Sequence, residues 1–235
     1  MPFQPIVNKR LYQQVADQIS AMIRSGEFTG GQRLPPERDL AKALGASRPV
    51  VREAMVALEI AGLVEVRTGS GSYVKAAAQP ADESSADAGP SPFDILSARI
   101  LIEGEIAFTA ATEATKDDLA AIFETLEMMR QQADARIPSQ VSDRLFHSRI
   151  AAASHNTVLP PIVEGLWDGQ FAPVFTALSE RTGLPENQDA TLRDHTRIAE
   201  ALARRDPEGA RTTMRAHLDQ VRGVLMRDDD AEATA

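Results

Sequence analysis

Three histidines and one aspartate have the types and spacing to do chemistry. Asp143 and His147 stand four residues apart, a spacing that puts both on one face of a helix. His195 falls on the apolar stripe Leu192, Ile198, Ala199, Leu202, and His217 falls on the stripe Met214, Leu218, Val221. Both therefore face inward, where an imidazole is costly unless it is hydrogen-bonded or ligated. One carboxylate and three imidazoles suit a borderline divalent ion such as Zn²⁺, Ni²⁺ or Mn²⁺, with positions left open for water or a ligand. Three separate core histidines, each bonded to a backbone carbonyl, is the other reading of the same residues. The chain has no cysteine, which excludes disulfides and thiolate metal sites.

A second set of residues suits DNA. Arg48 and Arg52 share one face of a helix near its N-terminal end, opposite the buried stripe Val51, Met55, Leu58. Arginines so placed reach guanine edges or phosphates in a major groove. Arg38, on the preceding helix, projects toward the same side. Ser47 is a fitting N-cap for the arginine-bearing helix and is counted with the DNA-facing groups. The turn Thr68-Gly69-Ser70-Gly71 carries no bulky side chain, so Thr68 and above all Gly69 are expected to approach phosphates or the minor groove closely.

These residues need elements to position them. Apolar periodicity predicts a helix over residues 11–25, closed by Gly26; Pro35-Pro36 open a second, with Gly45 where a left-handed C-cap is wanted. The third helix runs from Ser47 to about Ala61 and stops at Gly62. Residues 63–67 and 72–75 alternate as the two strands of a hairpin. Together these are a winged helix-turn-helix, placed at residues 1–75. Residues 76–92, rich in Ala, Ser, Pro and acid, read as a flexible linker. Residues 93–227 read as helical throughout, with helices near 93–114, 117–135, 139–153, 157–181, 188–205 and 207–227. Pro160, Pro161 and Pro173 are expected to start, kink or break the fourth of these. The tail at 228–235 reads as disordered. The fold class is mainly α: a winged head and an all-α bundle.

Charge divides the chain in the same way. Residues 1–78 carry 10 Lys/Arg against 7 Asp/Glu, while residues 79–235 carry 15 against 27. An acidic body with a mildly basic head fits a protein that touches DNA through one domain, not one that coats nucleic acid. The N-terminus has no apolar leader core and no stretch reaches membrane-spanning length, so the expected compartment is the cytoplasm, with no membrane partner.

Leu34-Pro35-Pro36-Glu37-Arg38, Ser47-Arg48-Pro49-Val50-Val51-Arg52-Glu53-Ala54 and Arg67-Thr68-Gly69-Ser70-Gly71-Ser72-Tyr73-Val74 resemble the GntR family of bacterial transcription regulators. The family's DNA contacts fall on Arg38, Arg48, Arg52 and Gly69. Arg10-Leu11-Tyr12 further resembles the regulators of hexuronate catabolism. Arg99-xxx-Glu103, Asp143-xx-Phe146-His147, Asn156, Asp194-His195-xx-Ile198 and Met214-xx-His217-Leu218 are similar to the FCD ligand-binding domain of the FadR subfamily. Metal-containing members of that subfamily use an Asp and three His, which match Asp143, His147, His195 and His217. Acyl-CoA-binding members lack this set. His155, in the loop Ser154-His155-Asn156, reads as solvated or capping.

The resemblance implies a small carboxylate or sugar acid as effector. Arg99 is the first candidate cation for it, with Arg149 and Arg193 behind, and Asn156 joins them as an effector-binding candidate; an intrahelical pair of Arg99 with Glu103 is the competing reading. The expected function is a ligand-responsive, non-enzymatic transcription regulator, a repressor that binds a palindromic operator as a homodimer, since one recognition helix reads too few base pairs for useful specificity. A metal-dependent hydrolase with a DNA-binding head, and a constitutive DNA-binding protein with a structural metal, are the alternatives.

Overall fold

The structure is a computed structural model and describes residues 9–67, 70–76, 88–184 and 187–227. Thr68, Gly69, most of the expected linker and the tail after Arg227 lie outside the described residues. The chain divides into two units, one comprising residues up to Ser91 with Ala172–Leu178, the other Pro92–Phe171 with Ser179–Arg227.

In the first unit, α1 (Leu11–Arg24), α2 (Glu37–Leu44) and α3 (Arg48–Ile60) precede strands β1 (Val64–Arg67) and β2 (Gly71–Val74). The strands pair antiparallel, Val64 opposite Val74 and Arg67 opposite Gly71. One core joins the elements: Tyr12, Val15 and Ile19 of α1 meet Leu40 of α2, Val51, Met55 and Leu58 of α3, and Val64 and Val74 of the hairpin. The sharp turn between α2 and α3 depends on Gly45, whose φ of 63° lies in the left-handed region that side chains with a Cβ avoid. Ser47 occupies the N-cap position of α3 in extended conformation, but its side chain makes no capping hydrogen bond.

The second unit holds α4 (Pro92–Glu113), α5 (Lys116–Asp134), α6 (Gln140–Ala152), α7 (Leu159–Asp168), α9 (Gln188–Ala203) and α10 (Pro207–Leu225); α8 (Pro173–Arg181) spans the division between units. The expected long helix over 157–181 is interrupted. Pro160 and Pro161 sit in the first turn of α7, a 3-10 turn follows at Gly169–Phe171, and Pro173 opens α8. Local chemistry sets other ends too: Thr115 Oγ accepts from Asp118 N at 3.1 Å to start α5, and Asp206 Oδ1 accepts from Gly209 N at 2.9 Å to start α10.

Helix α4 packs along α10, α10 against α9, and α5 between α6 and α9. Ile106, Ile122, Phe146, Ile150, Trp167, Ile198, Leu202, Met214 and Leu218 form the core of this bundle. Among the described residues no helix is long and apolar enough to cross a membrane.

Candidate functional site

The helical bundle brings three sequence-distant histidines together. Helix α6 carries His147, α9 carries His195 and α10 carries His217, all buried, with one ring nitrogen from each lying within 4.8 Å of the others. His195 Nε2 is 3.1 Å from His217 Nε2. Asp143, one turn before His147, places Oδ1 at 3.3 Å from His147 Nε2 and 3.6 Å from His195 Nε2. Packing holds the rings in place: His195 stacks on Phe146 at 4.3 Å between centroids, and the His147 ring lies 5.4 Å from that of Trp167. Asp143 is the member nearest solvent, its side chain 21% exposed.

Two observations make this cluster a fit for a divalent ion. Asp143 Oδ1 and His147 Nε2 are buried yet have no hydrogen-bond partner, an arrangement that is costly unless something else satisfies both. Metal–ligand bonds of about 2.0–2.2 Å also require ligand–ligand edges of roughly 3.0–3.5 Å; the 3.1 and 3.3 Å separations fall in that range and the 3.6 Å one lies just beyond it.

The outward nitrogens of two of the rings are held as such a site requires. Glu103 of α4 lies against His147 Nδ1 and Met129 Sδ of α5 is 3.4 Å from His195 Nδ1, whereas Asp194 Oδ2 stands 3.9 Å from His217 Nδ1, beyond hydrogen-bond distance. The contacts at His147 and His195 favour a proton on Nδ1, leaving those Nε2 lone pairs toward the cluster. Burial, reinforced by His217, pushes the His195 imidazole well below its ordinary pKa, and burial also lowers His217 against the pull of Asp194. Burial works against protonation of His147 as well, but the Glu103 and Asp143 carboxylates together outweigh it and raise that pKa. Asp143 and Glu103 are the reverse: burial disfavours their charge, and it is overcome by His195 and His147 at Asp143 and by Arg99 and His147 at Glu103.

Glu103 is thus held down to about 2. A carboxylate with a depressed folded-state pKa contributes stability above its unfolded value, near 4.5, and that contribution is lost as pH falls. Urea unfolding followed by tryptophan fluorescence is expected to show the helical unit losing stability between about pH 4.5 and 2. Glu103→Gln should flatten that dependence, and an unchanged slope would show that Glu103 is not the group responsible.

Arg99 stands as the competing reading had it, in an ion pair with Glu103. Its Nε is 2.5 Å from Glu103 Oε1, its guanidinium lies 4.3 Å over the Trp167 ring, and both partners are almost fully buried. The other effector candidates stand elsewhere. Arg149 bonds to Ala121 O, to Thr125 Oγ at 2.7 Å and to Glu124 at 3.0 Å, so it is occupied in tying α6 to α5. Arg193 is exposed, because two residues along a helix from the inward His195 is nearly the opposite face. Asn156 is exposed and accepts from Val158 N at 3.1 Å, a local turn before α7. His155 is exposed and bound to Asp118 Oδ2 at 2.9 Å, apart from the three-histidine cluster. Glu103 appears in the sequence reading only as a motif position and a partner for Arg99. Its contact with His147 spans 44 residues and has no local signature.

In the head, Arg38 is exposed beside Asp39 and Arg48 is half-buried at the start of α3. Arg52 does not project from the same surface. It is 3% exposed, and its Nε and Nη2 lie 3.0 and 2.9 Å from Glu37 Oε2, so it ties α3 to α2. Any reach of Arg52 to a base must exchange that pair. Of the wing, Arg67 stacks over Tyr73 at 4.5 Å, while Thr68 and Gly69 lie outside the described residues.

Residues 11–74 match the family described as bacterial regulatory proteins, gntR family, and residues 94–220 match the FCD domain. The chain belongs to the GntR family. It is 37% identical to the Exu regulon transcriptional regulator of Escherichia coli K12, over 97% of this chain and 90% of that protein. The Uxu operon transcriptional regulator of the same organism is 36% identical, over 93% of this chain and 88% of that protein. Among solved structures, E. coli McbR/YncC shares the fold with a TM-score of 0.51 at 24% identity, covering 92% of this chain and 97% of that one. This GntR-family protein is a ligand-responsive, DNA-binding transcriptional regulator and not an enzyme, as its family and relatives are regulators; the hydrolase alternative is set aside.

Proposed function

We propose that this regulator is a cytoplasmic homodimeric repressor of a sugar-acid catabolic operon, with a divalent ion and a carboxylate effector bound in its helical domain. The winged head is assigned to residues 1–75, the linker to 76–92 and the effector domain to 93–227. Two heads reading a palindromic operator would supply the specificity that one recognition helix lacks. Arg38, Ser47 and Arg48 are the proposed contacts of the described surface, Arg52 joins them on release from Glu37, and Thr68 and Gly69 complete the wing.

The observation that carries the effector site is the convergence of His147, His195 and His217 beside the unsatisfied Asp143 Oδ1. Those four residues would hold the ion, which when bound supplies a positive charge and coordination positions for oxygen ligands. Open coordination positions on such an ion favour an oxygen donor, and a carboxylate supplies one. Resemblance to the Exu and Uxu regulators favours a hexuronate within that class.

Calorimetry with uronates, aldonates and short hydroxy acids, paired with binding to an operator selected from random duplex DNA, tests this reading. One acid is expected to bind, to raise the melting temperature and to weaken operator binding, while operator DNA weakens acid binding by the same factor. The reading fails if no acid binds, or if binding persists after chelation and in Arg99→Ala.

A further inference from the structure

The contact between α4 and α6 gives Glu103 a part in the site that its pairing with Arg99 does not explain. Its carboxylate is almost fully buried and has two partners on different elements. Oε1 and Oε2 face Arg99 Nε and Nη2, at 2.5 and 3.4 Å, one turn earlier on α4. Oε2 also meets His147 Nδ1, across from α6. An ion pair between Arg99 and Glu103 alone satisfies the i,i+4 geometry and needs no histidine. An imidazole fixed in the core by Phe146 and Trp167 would not by itself choose between its two tautomers.

We infer that Glu103 is the positioning residue of the histidine cluster: it holds the proton of His147 on Nδ1, so that the Nε2 lone pair faces Asp143, His195 and His217. The claim about metal affinity rests on the proposed ion site; the claim about the tautomer does not. Arg99 holds the carboxylate from the other side and fixes its rotamer by stacking on Trp167. A carboxylate on the far nitrogen also makes the near nitrogen a stronger donor. The same geometry changes the part first expected of Arg99. It acts through Glu103, and an effector carboxylate meets a guanidinium that already has a partner.

Glu103→Gln in the full-length protein is the first variant. Because it leaves Arg99 buried beside a neutral group, the double variant Arg99→Met/Glu103→Gln accompanies it; it removes the carboxylate without stranding a charge. Zn²⁺ affinity is measured by competition with a chromophoric chelator, and the His147 tautomer of the metal-free protein by ¹⁵N chemical shifts. Both variants are expected to bind Zn²⁺ about 10–100-fold more weakly than wild type. His147 should pass from a single Nδ1–H tautomer to a mixture, a readout that a merely structural role would not move.

Wild-type Zn²⁺ affinity in either folded variant, or an unchanged His147 tautomer, overturns the inference. If the wild type itself binds no Zn²⁺, the metal site fails, and the tautomer comparison still decides whether Glu103 positions His147.

Discussion

His195→Ala is expected to abolish metal uptake by the helical domain, with affinity falling on the order of a hundredfold or more. That exceeds the 10–100-fold typical of losing a residue that only orients a ligand. His195 is the ring most committed to the cluster. It is fully buried, stacked on Phe146, 3.1 Å from His217 Nε2 and 3.6 Å from Asp143 Oδ1. Burial and His217 hold its pKa well below the ordinary value, which favours a free Nε2 lone pair. His147 differs: its raised pKa means that an ion must displace a proton there as pH falls, so affinity should decline on acidification. His155→Ala is the control, since that imidazole is exposed and engaged by Asp118. Elemental analysis and chelator competition on the purified chain, with a melting curve of each metal-free variant, decide the matter. Absence of metal from the wild type, or equal losses in the two variants, would sink the site.

Arg48→Ala is expected to weaken specific operator binding by about 1–3 kcal/mol, roughly a five- to 150-fold loss, and to relax preference at one base pair of each half-site. Arg48 stands at the first residue of α3 with its side chain part-exposed, above a helix whose other face is committed to the core through Val51, Met55 and Leu58. Arg38→Ala should act differently. An exposed arginine on α2 that meets phosphate loses affinity evenly across sequences and reduces the salt slope by about one. Arg52→Ala mixes two effects, because it also removes the tie to Glu37 and leaves that carboxylate without this partner. Fluorescence anisotropy at several salt concentrations, on the selected operator and single-base variants, separates them. An Arg48→Ala protein with wild-type affinity and selectivity would remove α3 as the reading helix.

Whatever depends on local chemistry was legible along the chain. The wing hairpin and the three helices before it follow from apolar periodicity broken by Gly26, Gly45 and Gly62, each with positive φ where a helix ends. Prolines at 160, 161, 173 and 207 mark helix starts because a residue without an amide proton is tolerated only there. The inward stripes of α9 and α10 place His195 and His217 in the core, and the four-residue spacing puts Asp143 beside His147. Periodicity thus says which face a side chain occupies.

It does not say what meets that face. Arg48 and Arg52 have the same local spacing as a DNA-reading pair, yet only the packing of α2 on α3 brings Glu37 to Arg52, 15 residues away, and buries the pair. Arg149 looked like an effector cation, but α5 supplies it with two acceptors and a carboxylate. Arg99 and Glu103 were legible as neighbours on one helix, whereas the packing of α4 against α6 decided that the same carboxylate also reaches His147. Contacts of this kind are set by the relative position of whole helices, which the summed burial of many side chains fixes and no short motif records.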